Sequence, residues 1–256
     1  MKFSISNRQP KELRAMADEI KMDYRDIDTL VDLMDENITK KLVIVVSQDD
    51  KVDYDKLAVY AKGLNITMAV SDLSMGREYN VRGIPFYWVY PITSYYELNS
   101  ALEAGVSEVL LNAPLYFDLP QVKKIVSKYN AEVRLIANIC CYNYLMRADG
   151  VCGTYVRPED VSAYEPYVDT IEFVAETYSK EAVLFEVYAI KKTWPGNLNL
   201  LLTNFNCQVD NRSIADEFAA ARIQCRQDCM RRGGCDFCNT IMKFGKALSA
   251  HKNDKR

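Results

Sequence analysis

Histidine is almost missing: of 256 residues only His251 carries an imidazole, and it lies in a polar stretch near the end of the sequence. Ser-His-Asp and Cys-His mechanisms need an imidazole as general base, so no nucleophile–base pair for proteolysis can be named. Zinc catalysis on histidine ligands is disfavoured for the same reason. Long apolar runs are also lacking. None reaches the 18 or so residues of a transmembrane helix, and Met1-Lys-Phe-Ser-Ile-Ser-Asn-Arg8 has no apolar segment of a secretory signal, so a cytoplasmic protein with no membrane association is expected. An excess of charge is missing too. A net charge of −3 gives no general basis for nucleic-acid binding. In the basic stretch Arg226–Arg232 cysteine is the dominant feature, and nucleic acid stays an open question there. No low-complexity segment or long linker divides the chain.

What is present is enough apolar residue, 49%, to bury one substantial core. Short runs rich in β-branched and aromatic residues recur, each followed by a helical pattern. They predict strands at Lys2–Ser6, Leu42–Val46, Ile66–Val70, Phe86–Tyr90, Glu108–Leu111, Glu132–Ala137, Thr170–Val174 and Leu198–Leu202. Several are apolar with little alternation, as parallel strands covered by helices are. Eight such strands predict an α/β fold, a TIM-like (β/α)8 barrel over residues 1–212, with an open doubly wound sheet as the alternative. Residues 213–256 are expected to form a C-terminal helix and cysteine cluster packed on it. Helix starts are marked by Ser94-Tyr-Tyr-Glu97, with capping-box spacing, by Asp118-Leu-Pro-Gln121, by Arg157-Pro-Glu-Asp160 and by Ser213-Ile-Ala-Asp216. The stretch between Asp72 and Pro85 reads as a mobile connection, and Trp194-Pro-Gly-Asn197 as a turn before the last strand.

A parallel barrel binds its ligands at the C-terminal ends of its strands. The residues there form a polar set: Asn7, Arg8, Ser47, Gln48, Asp72, Asn112, Asn138, Glu172 and Asn204. Asp72 and Glu172, with Glu176 nearby, are the carboxylates available for proton transfer; Asn112 and Asn138 are candidates for holding a small or nucleotide-like ligand. Solvated loop acids are the plainer alternative. The aromatic run Phe86-Tyr-Trp-Val-Tyr90 with Tyr95-Tyr96 offers stacking surfaces, against the ordinary role of core packing.

The strongest chemical signal is Cys225-x3-Cys229-x5-Cys235-x2-Cys238, four thiols within 14 residues around Gly233-Gly234. Two short-range cysteine pairs suit a tetrahedral zinc site, and the same thiolates can instead hold an iron–sulfur cluster. Arg226, Arg231 and Arg232 would offset the charge of such a site. A second group, Cys140, Cys141 and Cys152, follows the sixth run and could add ligands, act as a redox pair or simply pack; Cys207 follows the last run.

The stretch Asn138-Ile-Cys-Cys-Tyr-Asn-Tyr144, then Cys152-Gly-Thr-Tyr-Val-Arg-Pro-Glu-Asp160, Tyr164-Glu165 and Val168-Asp169, resembles the collagenase-like peptidase (U32) family, as does the tail Cys229…Cys235-Asp-Phe-Cys238. The resemblance implies a TIM-like barrel, often with a cysteine-held iron–sulfur cluster, and hydroxylation of RNA bases or quinone precursors in several members rather than proteolysis. It would match Cys141 and Cys152 to the family's loop cysteines and Arg157 to its helix-start arginine, here a candidate for substrate binding. The chain departs from the better-known members, which carry a longer mid-chain cysteine motif and an extra C-terminal domain. Compact chains of this kind also resemble bacteriophage-encoded proteins, which implies a viral accessory role. Two classes follow: a redox or hydroxylase-type enzyme with an iron–sulfur centre, or a non-catalytic binding or structural protein stapled by zinc.

Overall fold

The computed structural model describes residues 1–30, 40–112, 115–139, 155–203, 210–214 and 223. Eight parallel strands close into a barrel in chain order: β1 (Lys2–Ser6), β2 (Glu19–Asp23), β3 (Lys41–Val46), β4 (Ile66–Val70), β5 (Phe86–Trp88), β6 (Glu108–Leu111), β7 (Glu132–Ile136) and β8 (Thr170–Glu172). β8 returns to pair with β1 through Lys2↔Thr170 and Phe3↔Ile171. Helical segments separate successive strands, which is the TIM-like α/β fold.

The register explains which residues face where. Glu19 pairs with Lys41, Met68 with Phe86, Tyr87 with Glu108, and Glu108 with Glu132. Alternation along each strand then sends one set of side chains outward and the other inward. The outward set is apolar and buried: Ile5, Ile20, Met22, Leu42, Ile44, Ile66, Met68, Val109, Val133, Leu135 and Ile171. On every strand but β2 these are the residues that made the runs legible.

Helix starts follow the sequence signals. Ser94 Oγ accepts from the Glu97 amide at 3.2 Å, while the Glu97 carboxylate accepts from the Thr93 amide at 2.8 Å, opening the helix Tyr95–Glu103. Asp53 and Thr177 cap the helices Tyr54–Gly63 and Tyr178–Phe185 in the same way. The Asp118 carbonyl accepts from the Val122 amide in the helix Leu119–Val126, and Pro158–Asp160 forms a 3₁₀ turn leading into Val161–Tyr164.

Three expectations need correction. β2, Glu-Ile-Lys-Met-Asp, is a strand that the runs did not reveal, because two of its five residues are charges turned into the barrel. Leu198–Leu202 is not a strand: Leu198–Leu200 is a 3₁₀ turn capped by Asn197, whose side chain accepts from the Asn199 amide. The connection after Asp72 is a 3₁₀ turn, Leu73–Met75, running into the helix Gly76–Val81. Gly76 is required there, since a Cβ would lie 2.5 Å from Cζ of Phe86.

The chain forms two compact units: Met1–Leu111 with Lys123–Leu135 and Val168–Glu172, and Asn112–Val122 with Ile136–Tyr167 and Phe173–Arg256. The first carries the barrel strands, β7 as far as Leu135. In the second, buried Tyr116 donates to the Ile136 carbonyl at 3.0 Å and Tyr188 to the Val156 carbonyl at 2.7 Å.

Candidate functional site

Many of the inward-facing residues of the first unit are charged where most TIM barrels place branched aliphatics. Arg134 of β7 is fully buried and reaches three carboxylates: Glu19 of β2 at 2.7 Å, Glu108 of β6 at 2.6 Å and Glu172 of β8 at 3.4 Å. β7 and β2 are not neighbours in the sheet, so Arg134 and Glu19 can meet only across the lumen. Lys41 of β3 joins Glu108 at 2.5 Å and Glu19 at 3.3 Å. Toward the N-terminal ends of the strands the chain of charges continues from Lys41 to Glu132 at 3.6 Å and from Glu132 to Lys2 at 2.6 Å. Toward the C-terminal ends it finishes at Lys21 of β2, 3.3 Å from Glu172. Four cations (Lys2, Lys21, Lys41, Arg134) and four carboxylates (Glu19, Glu108, Glu132, Glu172) thus balance among the described residues.

Burial and charge compete here, and charge wins. Burial alone would pull the Lys21 ammonium down, but its surroundings, the Glu172 carboxylate foremost, together outweigh burial and raise its pKa, so Lys21 stays protonated. Burial would push the Glu108 carboxyl up; the Arg134 guanidinium and the Lys41 ammonium hold it below the usual carboxylate range instead. Lys41, likewise penalised by burial, is raised by Glu108 and Glu19. Lys21 is therefore in the right state to hold a negative oxygen and the wrong one to attack a carbonyl as a free amine.

Tyr87 of β5 stands beside this network. Its ring lies 4.8 Å below the Arg134 guanidinium carbon, and burial raises its pKa strongly, so the phenol remains an O–H donor. The Tyr87 hydroxyl and the Ser4 hydroxyl of β1 are buried and have no hydrogen-bond partner among the described residues. An unmade buried hydrogen bond costs about 1–3 kcal/mol, so two in one lumen mark unspent bonding capacity.

The residues singled out from sequence fall into separate places. Glu172 is in the network, 5% exposed. Asp72 caps the turn Leu73–Met75, its carboxylate accepting from the Ser74 amide at 2.8 Å, and that hydrogen bond lowers its pKa. The partners of Asp72 and Glu172 do not overlap. Asn112, Asn138 and Arg157 belong to the second unit. Asn138 is fully buried and clamps backbone: it donates to the Val174 carbonyl at 2.7 Å, accepts from the Val174 amide at 2.9 Å and donates to the Leu201 carbonyl at 3.4 Å. Arg157 is 3% exposed and forks onto Asp160 at 2.6 and 2.7 Å, with a third bond to the Ile214 carbonyl at 3.3 Å. The Asn112 carbonyl accepts from the Leu115 amide at 3.1 Å. Cys141, Cys152, Cys225, Cys229, Cys235 and Cys238, with Cys140, Cys207 and Asn204, lie outside the described residues. Among the described residues no group of three or more His, Cys, Asp or Glu is arranged to hold a metal ion. The lumen carboxylates are interleaved with cations, which occupy the places a metal would take.

No protein-family model and no curated protein matches the chain. Among solved structures it is similar to a U32 peptidase, at 12% identity and a TM-score of 0.45, covering 69% of this chain and 93% of that one. It is also similar to a 4-hydroxy-2-oxoglutarate aldolase, at 14% identity and a TM-score of 0.38 over 78% of this chain and 94% of that one. The tryptophan synthase alpha subunit of Legionella pneumophila gives 13%, 0.40, 75% and 85%. These are likenesses of fold. No described helix is long and apolar enough to cross a membrane.

Sequence reading missed Glu19, Lys21, Lys41, Ser4, Glu108 and Arg134, and offered Tyr87 only as one ring of a stacking surface. For Glu108 and Arg134 a signal was available: charged residues inside runs that helices were expected to cover. Such residues have no solvent on either face of the sheet, which leaves the lumen.

Proposed function

We propose that the chain is an enzyme that takes a small or nucleotide-like polar substrate into the barrel toward the C-terminal ends of its strands. Lys21 is the electrostatic contact for that substrate, and Glu172 is the carboxylate that holds Lys21 charged and is available for proton transfer. The observation that carries this reading is the Lys21–Glu172 pair, 3.3 Å apart, whose lysine side chain is 34% exposed while its carboxylate is 7% exposed. One end of a buried charge network thus reaches solvent where barrels bind ligands. The resemblance to the collagenase-like peptidase family adds the finer version: a divergent member performing redox or hydroxylase-type chemistry in the cytoplasm. There Cys225, Cys229, Cys235 and Cys238, with Cys141 and Cys152 as further candidates, would hold an iron–sulfur centre. Four thiols within 14 residues are the right donors for such a centre, which supplies one-electron chemistry when bound.

A second reading has its own support. Asp72 and Asn138 spend their side chains on backbone and Arg157 spends its own on Asp160 and the Ile214 carbonyl, as they would in a non-catalytic binding or structural protein stapled by zinc. Anaerobic purification with a visible spectrum and metal analysis separates the two. A brown protein absorbing near ~400 nm with matched iron and sulfide supports the redox enzyme; a colourless protein with one zinc per chain removes it.

A further inference from the structure

We infer that the barrel of the first unit seats a small monocarboxylate bearing at least one further oxygen, its carboxylate on the Lys21 ammonium and its other oxygen on the buried Tyr87 hydroxyl, with the Ser4 hydroxyl of β1 a further unpartnered group of the lumen. The inference rests on the proposed reading of the barrel as the ligand site and names the ligand's chemistry. Three observations converge on it. The ion pair with Glu172 engages one of the three N–H donors of Lys21. The Tyr87 and Ser4 hydroxyls are buried with no partner among the described residues. The carboxylates that might have accepted from them are engaged elsewhere: Glu19 by Arg134, Lys41 and Thr170, Glu108 by Arg134 and Lys41, and Glu172 by Lys21 and Arg134.

The Lys21 ammonium only donates, and each orphaned hydroxyl can donate as well as accept, so an anionic oxygen ligand with a second oxygen is a complement to the set. Tyr87 is held in place by the guanidinium 4.8 Å over its ring. With the Arg134 guanidinium over its ring, the Tyr87 phenol is placed to donate to an acceptor oxygen carrying negative charge. Charge balance sets the limit. Four cations already face four carboxylates, so one added negative charge is easier to accommodate than the second one that part of the phosphate carries at pH 7.

The test is calorimetric titration of the full chain at pH 7 with lactate, lactamide, inorganic phosphate and, as neutral polar probes, ribose and adenosine. Lactate is expected to bind at least tenfold more tightly than lactamide. Tyr87→Phe is expected to weaken lactate about tenfold, the value of one hydrogen bond at 1.4 kcal/mol per decade, while melting as it does without ligand, because only an unpartnered hydroxyl is removed. Lys21→Met is expected to abolish lactate binding. Equal binding of lactamide, preference for phosphate, an unaffected Tyr87→Phe variant or failure of lactate to bind overturns the inference. If lactate fails but ribose or adenosine binds and is lost in Lys21→Met, the barrel remains the ligand site and only the carboxylate assignment falls. If no probe binds, both fall.

Discussion

Removing the guanidinium at the centre of the barrel is the sharpest test of how these charges are held. In Arg134→Met, Glu19, Glu108 and Glu172 lose their common cation while remaining 0, 2 and 5% exposed. Lys41, 12% exposed, is left to serve Glu19 and Glu108. Breaking a buried ion pair from one side costs about 3–5 kcal/mol, a large share of the ~5–15 kcal/mol that stabilises a folded protein. At about 2–4 °C per kcal/mol for a chain of this size, the melting temperature should fall by about 6–20 °C. The deficit should also depend on pH. In the native protein the Glu108 pKa is depressed, so its stabilisation is present above the unfolded carboxyl value of about 4.3 and is lost as pH falls through the lower folded value. Without Arg134 burial prevails and the folded pKa rises above the unfolded one, so protonation relieves the variant as pH falls. Urea unfolding followed by circular dichroism at pH 7 and pH 5 should show the gap narrowing at the lower pH. Replacing the set together, Glu19→Leu, Lys41→Met, Glu108→Leu and Arg134→Met, should recover most of the loss, because the charges that remain, Glu172 with Lys21 and Glu132 with Lys2, keep a partner. Equal midpoints for Arg134→Met and the native protein at pH 7, or a deficit that does not change with pH, would refute the reasoning.

Other predictions concern the residues that hold structure. Asn138→Ala removes three backbone bonds from a fully buried side chain and should cost about 2–4 kcal/mol in urea unfolding, at 1–3 kcal/mol for each backbone group left without a partner and some of them rescued by water. Gly76→Ala places a methyl against Phe86 and should lower stability by about 1–3 kcal/mol, a loss that Phe86→Leu in the same chain should partly restore. Asp72→Ala removes a cap and should cost about 1 kcal/mol without altering the binding of any barrel ligand measured by calorimetry.

The parts of this fold that could be read in the sequence are those whose physics is local. β1, β4 and β6 match the apolar runs residue for residue, and β3, β5, β7 and β8 differ only at their ends. Both faces of those strands are covered, so their sequences announce it. Capping at Ser94 and the proline start at Pro158 are local chemistry too. β2 was hidden because Glu19 and Lys21 look like surface residues until Arg134, 115 positions away, is known to meet Glu19. Leu198–Leu202 misled for the opposite reason. It is apolar and buried in part, yet the barrel was already closed by a strand the pattern had not disclosed. Asn138 stood at a strand end, where position suggested a ligand, and what it binds is backbone.

The charged lumen bears on function through an energetic argument. Well-packed apolar residues of similar volume usually match or exceed the stability of a buried ion-pair network. The outward faces of the same strands show that this chain supplies such residues freely. Stability alone therefore gives no reason for Glu19, Lys41, Glu108, Arg134, Glu172 and Lys21 to occupy inward positions of five strands. A fixed array of charges does something an aliphatic core cannot: it sets a protonation state and a field at one end without reorganising when a ligand arrives. Here that end is Lys21, kept cationic by Glu172, which Arg134 in turn positions. The orphaned hydroxyls of Tyr87 and Ser4 point the same way, since a lumen built only for packing would have had phenylalanine and alanine there.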